Sequence, residues 1–198
     1  MGTETNLPAT VRRIVLTGFM GAGKSTIGAL LAEKLGWRFM DTDAFIEARA
    51  GATIAEIFSL QGEAGFRALE TEVIRECAGA EHAVLALGGG ALEAGPTREA
   101  LAHLECSCVV FLDAPLEVMV ARCAAQPGAA ERPVLADRER LAMRLAARLP
   151  HYRSAHMTVA TVDRTPEAVA EHIIQSLRES LRESLRESAR ARSVSSVP

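Results

Sequence analysis

The segment from Gly18 to Thr26 constrains this chain more than any other, because it is a complete glycine-rich loop of the form G-x-x-x-x-G-K-[ST]. The apolar run Ile14 to Leu16 before it is typical of a buried strand, and residues 27–35 after it have the pattern of an amphipathic helix. Between a strand and a helix, such a loop points successive backbone N–H groups at phosphate oxygens, and the helix dipole favours the same anion. The sequence therefore predicts a binding site for a nucleoside triphosphate.

The loop also predicts roles for its own side chains. Lys24 is placed to reach the β- and γ-phosphates, and the Ser25 hydroxyl is placed to ligate Mg²⁺. The predicted nucleotide-binding residues of the loop are Gly21, Ala22, Gly23, Lys24, Ser25 and Thr26.

The composition of the chain argues against several classes of protein. A chain of 198 residues fits one domain, and a net charge of −3 argues against a general nucleic-acid binder. No apolar run approaches the roughly 18 residues of a membrane helix. The N-terminus is short and polar, and the four cysteines form no C-x-x-C pair. We therefore expect a cytoplasmic protein that binds neither nucleic acid nor membrane.

Strand and helix patterns alternate along the chain. After the loop helix, strands are predicted at 37–41, 83–87, 108–112 and 157–161. Helices are predicted at 44–50, 63–77, 97–104, 115–125, 138–149 and from 166 onward, and a further short helix starts at a capping box at Thr53. This alternation predicts a parallel sheet with helices on both faces, which binds ligands outside the carboxyl ends of its strands.

Three acidic residues follow predicted strands. Asp41 and Asp43 lie two residues apart, a spacing that allows one carboxylate near Mg²⁺ and another that orients an attacking hydroxyl. The alternative for each is a cap on the following helix. Asp113 follows four apolar residues, a pattern typical of the metal-binding aspartate in proteins that bind nucleoside triphosphates. The Ala114-Pro115 that comes next favours a capping role instead.

Arginines and glycines complete the set of candidates. Arg67 and Glu70 share one helix face, where the acid can hold the guanidinium group, and such pairs are also common surface features. Arg132 lies in a polar loop, and arginines on such loops commonly close over triphosphates. Arg148 ends a predicted helix. Taken singly, each of these arginines is more typical of a surface position, and only the surrounding motifs favour a role in a site. Gly88-Gly89-Gly90 predicts a sharp turn or a close approach to a ligand, with a flexible turn as the alternative.

Together these segments resemble the shikimate kinase family over residues 12–177. The resemblance rests on the loop, Asp41-Thr42-Asp43, Phe66-Arg67-Ala68-Leu69-Glu70, Gly88-Gly89-Gly90, Arg132-Pro133-Val134-Leu135 and Arg148-Leu149-Pro150-His151-Tyr152. It implies an α/β fold like that of the P-loop nucleoside monophosphate kinases, with a five-stranded parallel sheet flanked by helices. A substrate-binding region and a lid at about residues 126–137 belong to the same expectation.

The resemblance further implies transfer of the γ-phosphoryl group of ATP to the 3-hydroxyl of shikimate, a step toward chorismate and the aromatic amino acids. Lys24, Asp43 and Arg132 would be catalytic, with Asp43 on the substrate hydroxyls and Arg132 on the transferring phosphate. Arg67 and Arg148 would clamp the shikimate carboxylate.

The remaining implied roles concern the ring, the metal and the base. The backbone of Gly88, Gly89 and Gly90 would line the ring, and Asp41 would hold Mg²⁺ through water beside Ser25. Arg164 would lie at the adenine. A monomer that binds only ATP and shikimate is expected, with Mg²⁺ as its cofactor.

Two features depart from the family. The lid is long and rich in Ala, Gly and Pro, and Arg122 is the only candidate for a second basic residue there. From Ser176 the unit Ser-Leu-Arg-Glu repeats three times, and its four-residue period drifts around a helix, so the leucines form no lasting seam. We expect a kinase domain at 11–177 and, at 178–198, a solvated extension of the last helix, with partner binding as the alternative. A gluconate kinase would share the loop but has no need of Arg67, Glu70 and Arg148 around a ring carboxylate. A nucleotide switch without transferase activity would leave the lid and the acid pair idle, and the sequence has no Asn-Lys-x-Asp motif for reading guanine.

Overall fold

A five-stranded parallel sheet in the order β2-β3-β1-β4-β5 lies at the centre of the fold. Its strands are β1 (Arg13–Thr17), β2 (Arg38–Asp41), β3 (Ala83–Ala86), β4 (Ser107–Asp113) and β5 (Met157–Ala160). This computed structural model describes residues 11–125 and 137–194, with the backbone alone at 181 and 184–194. The sheet confirms the predicted architecture, because each pair of neighbouring strands runs parallel.

Helices connect the strands. They are α1 (Lys24–Leu35), α2 (Thr42–Ala50), α3 (Ile54–Ala78), α4 (Gly95–Ala102), α5 (Leu116–Ala124), α6 (Arg138–Tyr152) and α7 (Pro166–Val194). A 3₁₀ turn at Ala91–Glu93 follows β3. The helix α3 begins at a capping box on Thr53 and is interrupted at Gly62, so the two helices predicted there form one bent element.

The core explains why the apolar runs form the central strands. The side chains of β1 at 14–16 and of the whole of β3 are at most 1% exposed, as expected of strands covered on both faces. Ile46, Ile57 and Ile74 pack from the helices into the same core. No helix in the two described ranges is long and apolar enough to cross a membrane.

Several predicted boundaries and one predicted role were wrong. The second helix starts at Thr42, two residues early, because Asp41 caps it. The sixth helix continues through Pro150 to Tyr152. Asp113 does not cap α5: Pro115 is the N-cap residue, and no side chain donates or accepts a capping bond there.

Candidate active site

The glycine-rich loop joins the end of β1 to α1 and lies at the carboxyl edge of the sheet. Gly21 has a φ of 73°, and a Cβ at this position would overlap the carbonyl oxygen of Met119. Only glycine fits a left-handed backbone this close to a neighbouring helix. Lys24 folds back into the loop, with Nζ 2.8 Å from the carbonyl oxygen of Gly18 and 3.1 Å from that of Phe19. Burial lowers the pKa of Lys24, and this effect is opposed by the charges of the nearby aspartates.

Asp41 connects the loop to the second strand. Its Oδ2 accepts a 2.6 Å hydrogen bond from Ser25 Oγ, and its Oδ1 accepts a 3.1 Å bond from the backbone N–H of Asp43. The capping alternative is therefore true for Asp41, but its second oxygen reaches the loop at the same time. Asp43 lies in the first turn of α2 and is not its cap.

The donors around Ser25 fit a magnesium ion. A hydroxyl and a carboxylate oxygen 2.6 Å apart are hard oxygen ligands of the kind that Mg²⁺ prefers. Within the described ranges no group of three or more His, Cys, Asp or Glu side chains forms a complete metal site. Phosphate and water oxygens would supply the other ligands of Mg²⁺ at such a site.

A cavity of about 580 Å³ extends from the loop toward the start of α7. Lys24, Asp43, Arg122 and Arg164 are the charged side chains among the residues that line it. Arg122 is held by Thr161, since its guanidinium group donates to Thr161 Oγ1 at 2.8 Å and to the Thr161 carbonyl at 2.7 Å. The guanidinium group of Arg122 is therefore tied to the wall of the cavity at the end of β5.

The carboxylates of Asp43 and Glu70 converge on Gly88. A Cβ at position 88 would lie 2.6 Å from Asp43 Oδ1 and 2.7 Å from Glu70 Oε1. Thr42 joins the start of α2 to the end of β3, because its hydroxyl donates to the carbonyl of Ala86 and accepts from the N–H of Gly88, each at 3.1 Å. Burial, followed by the charge of Asp41, raises the pKa of Asp43, and burial likewise raises that of Glu70.

Two arginines face these acids from different helices. Arg67 donates a 2.6 Å hydrogen bond to Glu70 Oε2, which confirms the predicted pair, and both side chains are largely buried at 17% and 1% exposure. Arg148 comes from α6, and its guanidinium group lies 5.7 Å from the ring centre of Phe19. Glu93 contacts both arginines. Two guanidinium groups that are 81 positions apart in the sequence therefore share one carboxylate.

Tyr152 contacts the backbone of the triple glycine at 88–90. Its hydroxyl donates to the carbonyl oxygen of Gly89, and its ring stacks on Phe111 with the ring centres 5.2 Å apart. Burial raises the pKa of Tyr152 to about 12. The phenol therefore stays protonated and remains a hydrogen-bond donor at neutral pH.

Comparison with known proteins decides the family. The shikimate kinase family model matches residues 20–178. The chain belongs to the shikimate kinase family. Shikimate kinase of Geobacter sulfurreducens is 46% identical over 167 residues, which cover 83% of this chain and 90% of that protein. That of Thermobifida fusca is 47% identical over 160 residues, or 79% and 89% of the two chains.

A solved structure of the shikimate kinase family shares the fold. Shikimate kinase from Acinetobacter baumannii in complex with shikimate superposes with a TM-score of 0.79 at 39% identity. The match covers 86% of this chain and 95% of that one. The chain is thus an ATP-dependent kinase of this family, and the rival readings of a gluconate kinase and a nucleotide switch are set aside.

The structure gathers most of the predicted shikimate kinase residues at one edge of the sheet. The loop residues, Asp41, Asp43, Arg67, Gly88, Gly89, Gly90 and Arg148 are brought together. Arg164 lines the same cavity as the loop and is exposed. Arg132 and the predicted lid lie outside the described residues, apart from Asp137 at its end, which caps α6.

Sequence reasoning missed two side chains of this site. Glu93 lies three residues after the triple glycine and carries no periodic or motif signal. Tyr152 stood inside a quoted motif, but nothing in the sequence indicated its bond to a backbone carbonyl 63 positions earlier. Contacts between such distant segments follow from sheet topology and helix packing, which local patterns do not encode.

Proposed function

We propose that this chain transfers the γ-phosphoryl group of ATP to the 3-hydroxyl of shikimate by means of the residues gathered at the carboxyl edge of the sheet. One observation carries the proposal: a phosphate-binding loop, a half-buried aspartate and two arginines share a single site. Membership of the shikimate kinase family supports the choice of substrates.

The nucleotide half of the site is assigned to the loop and the cavity beyond it. The backbone of residues 21–26 holds the phosphates at the start of α1, where the helix dipole adds to the attraction. Lys24 leaves the carbonyls of Gly18 and Phe19 and neutralises charge on the transferring group. Arg164, which lines the cavity, contacts the base of the nucleotide.

The acceptor half is assigned to the acids and arginines around the triple glycine. Arg67 and Arg148 bind the ring carboxylate, because planar guanidinium groups form paired hydrogen bonds with a carboxylate. Asp43 accepts from the ring hydroxyls at the opposite end. Gly88 leaves room for the carboxylates of Asp43 and Glu70, and Gly89, where the atoms nearest to a Cβ would be 3.7 Å away, lets the ring approach the backbone closely.

Asp43 orients and deprotonates the attacking hydroxyl. Its raised pKa makes it a stronger base than an exposed aspartate, while Lys24 opposes that rise and favours the ionised form. Phosphoryl transfer requires mainly positioning and charge neutralisation, so no covalent nucleophile is needed. We therefore assign Asp43 chiefly to the geometry of attack.

Ser25 and Asp41 would hold Mg²⁺, the serine directly and the aspartate through water. When bound, the ion would neutralise negative charge on the phosphates during transfer. The hydrogen bond between Ser25 and Asp41 keeps both oxygens on the phosphate side of α1, which supports this assignment.

The remaining assignments extend the same proposal. Arg132 stabilises the transferring phosphate from the lid, residues 11–177 form the kinase domain, and the repeat at 178–198 is dispensable for catalysis. The helix α7 continues to Val194, which supports the view that the repeat extends the last helix.

A single chain supplies the residues for both substrates, which supports a monomer. The four free cysteines support a cytoplasmic location.

The test is the release of ADP from Mg²⁺-ATP with a panel of acceptors. Shikimate, gluconate, a nucleoside monophosphate and water alone are compared at equal concentration. We expect turnover with shikimate only. Faster turnover with another acceptor would retain the loop assignment and refute the acceptor half of the site.

A further inference from the structure

One carboxylate oxygen of Glu93 lies between the two arginines of the acceptor half. Glu93 Oε2 accepts a 3.1 Å hydrogen bond from Arg67 Nη2 and lies 2.8 Å from Arg148 Nη2. A carboxylate that bridges two guanidinium groups in this way has the chemistry that the proposed function assigns to the carboxylate of the substrate.

The local fold fixes Glu93 at this point. It is the last residue of the 3₁₀ turn after the triple glycine, and a Cβ at Gly90 would lie 2.8 Å from its Oε2. Arg98 holds the backbone, because its guanidinium group donates to the carbonyl of Glu93 at 2.8 Å and to that of Leu92 at 2.7 Å. The carboxylate therefore reaches the arginines from a fixed backbone.

The arginines are not fully paired by this contact. Among the described residues Arg148 Nε has no hydrogen-bond partner, and it is buried within a side chain that is only 13% exposed. Glu93 supplies a single oxygen to the pair, whereas a carboxylate that pairs with the edge of the Arg148 guanidinium group engages two nitrogens. A ligand carboxylate can therefore make a hydrogen bond that Glu93 leaves unmade.

Charge balance indicates which acid must leave. Arg67 and Arg148 already face the carboxylates of Glu70 and Glu93, besides the exposed Glu63 beside Arg67, so the carboxylate of a substrate would add an uncompensated negative charge to a largely buried cluster. Glu70 is 1% exposed and is bound to Arg67 at 2.6 Å. Glu93 is 37% exposed and can turn to solvent.

We propose that Glu93 is an internal competitor for the acceptor site, which holds the two arginines together until the carboxylate of the substrate displaces it. This inference rests on the proposed function, because it takes Arg67 and Arg148 to be the carboxylate clamp. Glu93 lowers the affinity for shikimate and for any ligand whose carboxylate competes for the two arginines, and it has no such effect on ligands without a carboxylate. Glu93 thus sets the affinity for the acceptor carboxylate and takes no part in phosphoryl transfer.

The test is the Kd of shikimate measured by isothermal titration calorimetry on the full chain and on Glu93→Gln. The variant keeps the shape of the side chain and removes its charge. We expect shikimate to bind about three- to fivefold more tightly, as for a partly exposed ion pair. The KM for shikimate falls in parallel while kcat changes less than about twofold. Glu93→Ala is expected to shift the Kd in the same direction and serves if the glutamine variant folds poorly.

The matched control is Glu63→Gln. Glu63 Oε1 lies 3.5 Å from Arg67 Nη2, but Glu63 is 72% exposed and the described contacts do not join it to Arg148. Its variant removes the same charge beside the same arginine without opening the bridge, and its Kd for shikimate is expected to stay within about 1.5-fold. An equal gain in both variants would show a general charge effect and overturn the displacement.

Two further measurements separate this inference from the proposed function. The methyl ester of shikimate has no free carboxylate, and its Kd is expected to be the same for Glu93→Gln and the unaltered chain. Arg148→Ala is expected to weaken shikimate binding. If it does, and Glu93→Gln leaves the Kd unchanged or raises it, only the role of Glu93 is refuted. If Arg148→Ala binds shikimate normally, the clamp itself is refuted, and the inference fails with it.

Discussion

A methyl group at position 88 would enter the acid cluster of the acceptor site. A Cβ there lies 2.6 Å from Asp43 Oδ1 and 2.7 Å from Glu70 Oε1, and ordinary contact begins at 3.4 Å. Each carboxylate would have to retreat by roughly 0.7 to 0.8 Å to restore ordinary contact. Glu70 cannot do so without disturbing its 2.6 Å bond from Arg67, so the change moves the base and the clamp together.

The size of the effect follows from these displacements. A misplacement of about 1 Å in a catalytic group can lower the rate about 100-fold. Since both Asp43 and Arg67 are affected, we expect Gly88→Ala to lower kcat/KM for shikimate by about 30- to 100-fold. The overpacked site should also lower the free energy of unfolding by about 1–2 kcal/mol. The KM for ATP should change less than about twofold, because the loop contacts of Lys24 are untouched.

The assay is steady-state ADP release with each substrate varied in turn, together with urea denaturation. Gly95→Ala is the matched control: it adds the same methyl group at the start of α4, where the nearest atom, Arg98 Nη2, is 3.8 Å away. A kcat/KM for Gly88→Ala within about threefold of the control would refute the reasoning. An equal loss for both substrates would indicate general misfolding and not a local displacement.

Three further variants test the assigned roles. Asp43→Asn should lower kcat by about 100-fold or more while ATP still binds, measured by turnover and calorimetry. Because the pKa of Asp43 is raised, the stability from its protonated form is full below the ordinary value of 3.8 and is lost as pH rises through the folded pKa. The same variant should therefore show a higher Tm than the unaltered chain at neutral pH, with the gain vanishing in acid. Tyr152→Phe keeps the stacking on Phe111 but loses the bond to Gly89, and urea denaturation should show a loss of about 1 kcal/mol in unfolding free energy. Truncation after Leu177 should leave kcat within about threefold in the ADP-release assay, since the proposed domain ends there and Leu177 is the last buried side chain of α7 among the described residues.

Each of these has a contrary result. A folded Asp43→Asn protein that no longer binds ATP would place this residue in the nucleotide half, and a pH-independent Tm difference would contradict its raised pKa. Unfolding of Tyr152→Phe at an unchanged urea midpoint would show that water replaces the phenol at Gly89. A collapse of turnover after truncation would make the repeat part of the domain.

The features that the sequence could predict are those set by local backbone chemistry. The glycine-rich loop needs left-handed residues, among them Gly21 and Gly23, and a helix directly behind it, so its motif specifies a strand, a turn and a helix at once. Alternation of apolar strands and amphipathic helices then determined the parallel sheet. Because parallel strands end at one edge, Asp43 and Gly88 were expected near the loop before any contact was known.

The features that could not be predicted depend on geometry between distant segments. Glu93 meets Arg148 only because the 3₁₀ turn and α6 pack against each other across 55 positions of sequence. Asp113 was wrongly assigned as a cap because the pattern Asp-Ala-Pro suits either a strand end or a helix start, and Pro115 itself became the N-cap residue. The helix α6 passes through Pro150 because a single proline in the last turn of a helix removes few hydrogen bonds.

The position of the phosphoryl group on the product tests the central claim most directly. With the carboxylate on Arg67 and Arg148 and the attacking hydroxyl on Asp43, one ring hydroxyl is presented to the transferring phosphate. ³¹P–¹H correlation spectra of the product formed from Mg²⁺-ATP and shikimate should therefore show a single ester at the 3-position. A phosphate on another hydroxyl, or ADP released without an ester, would contradict the arrangement proposed for the acceptor site.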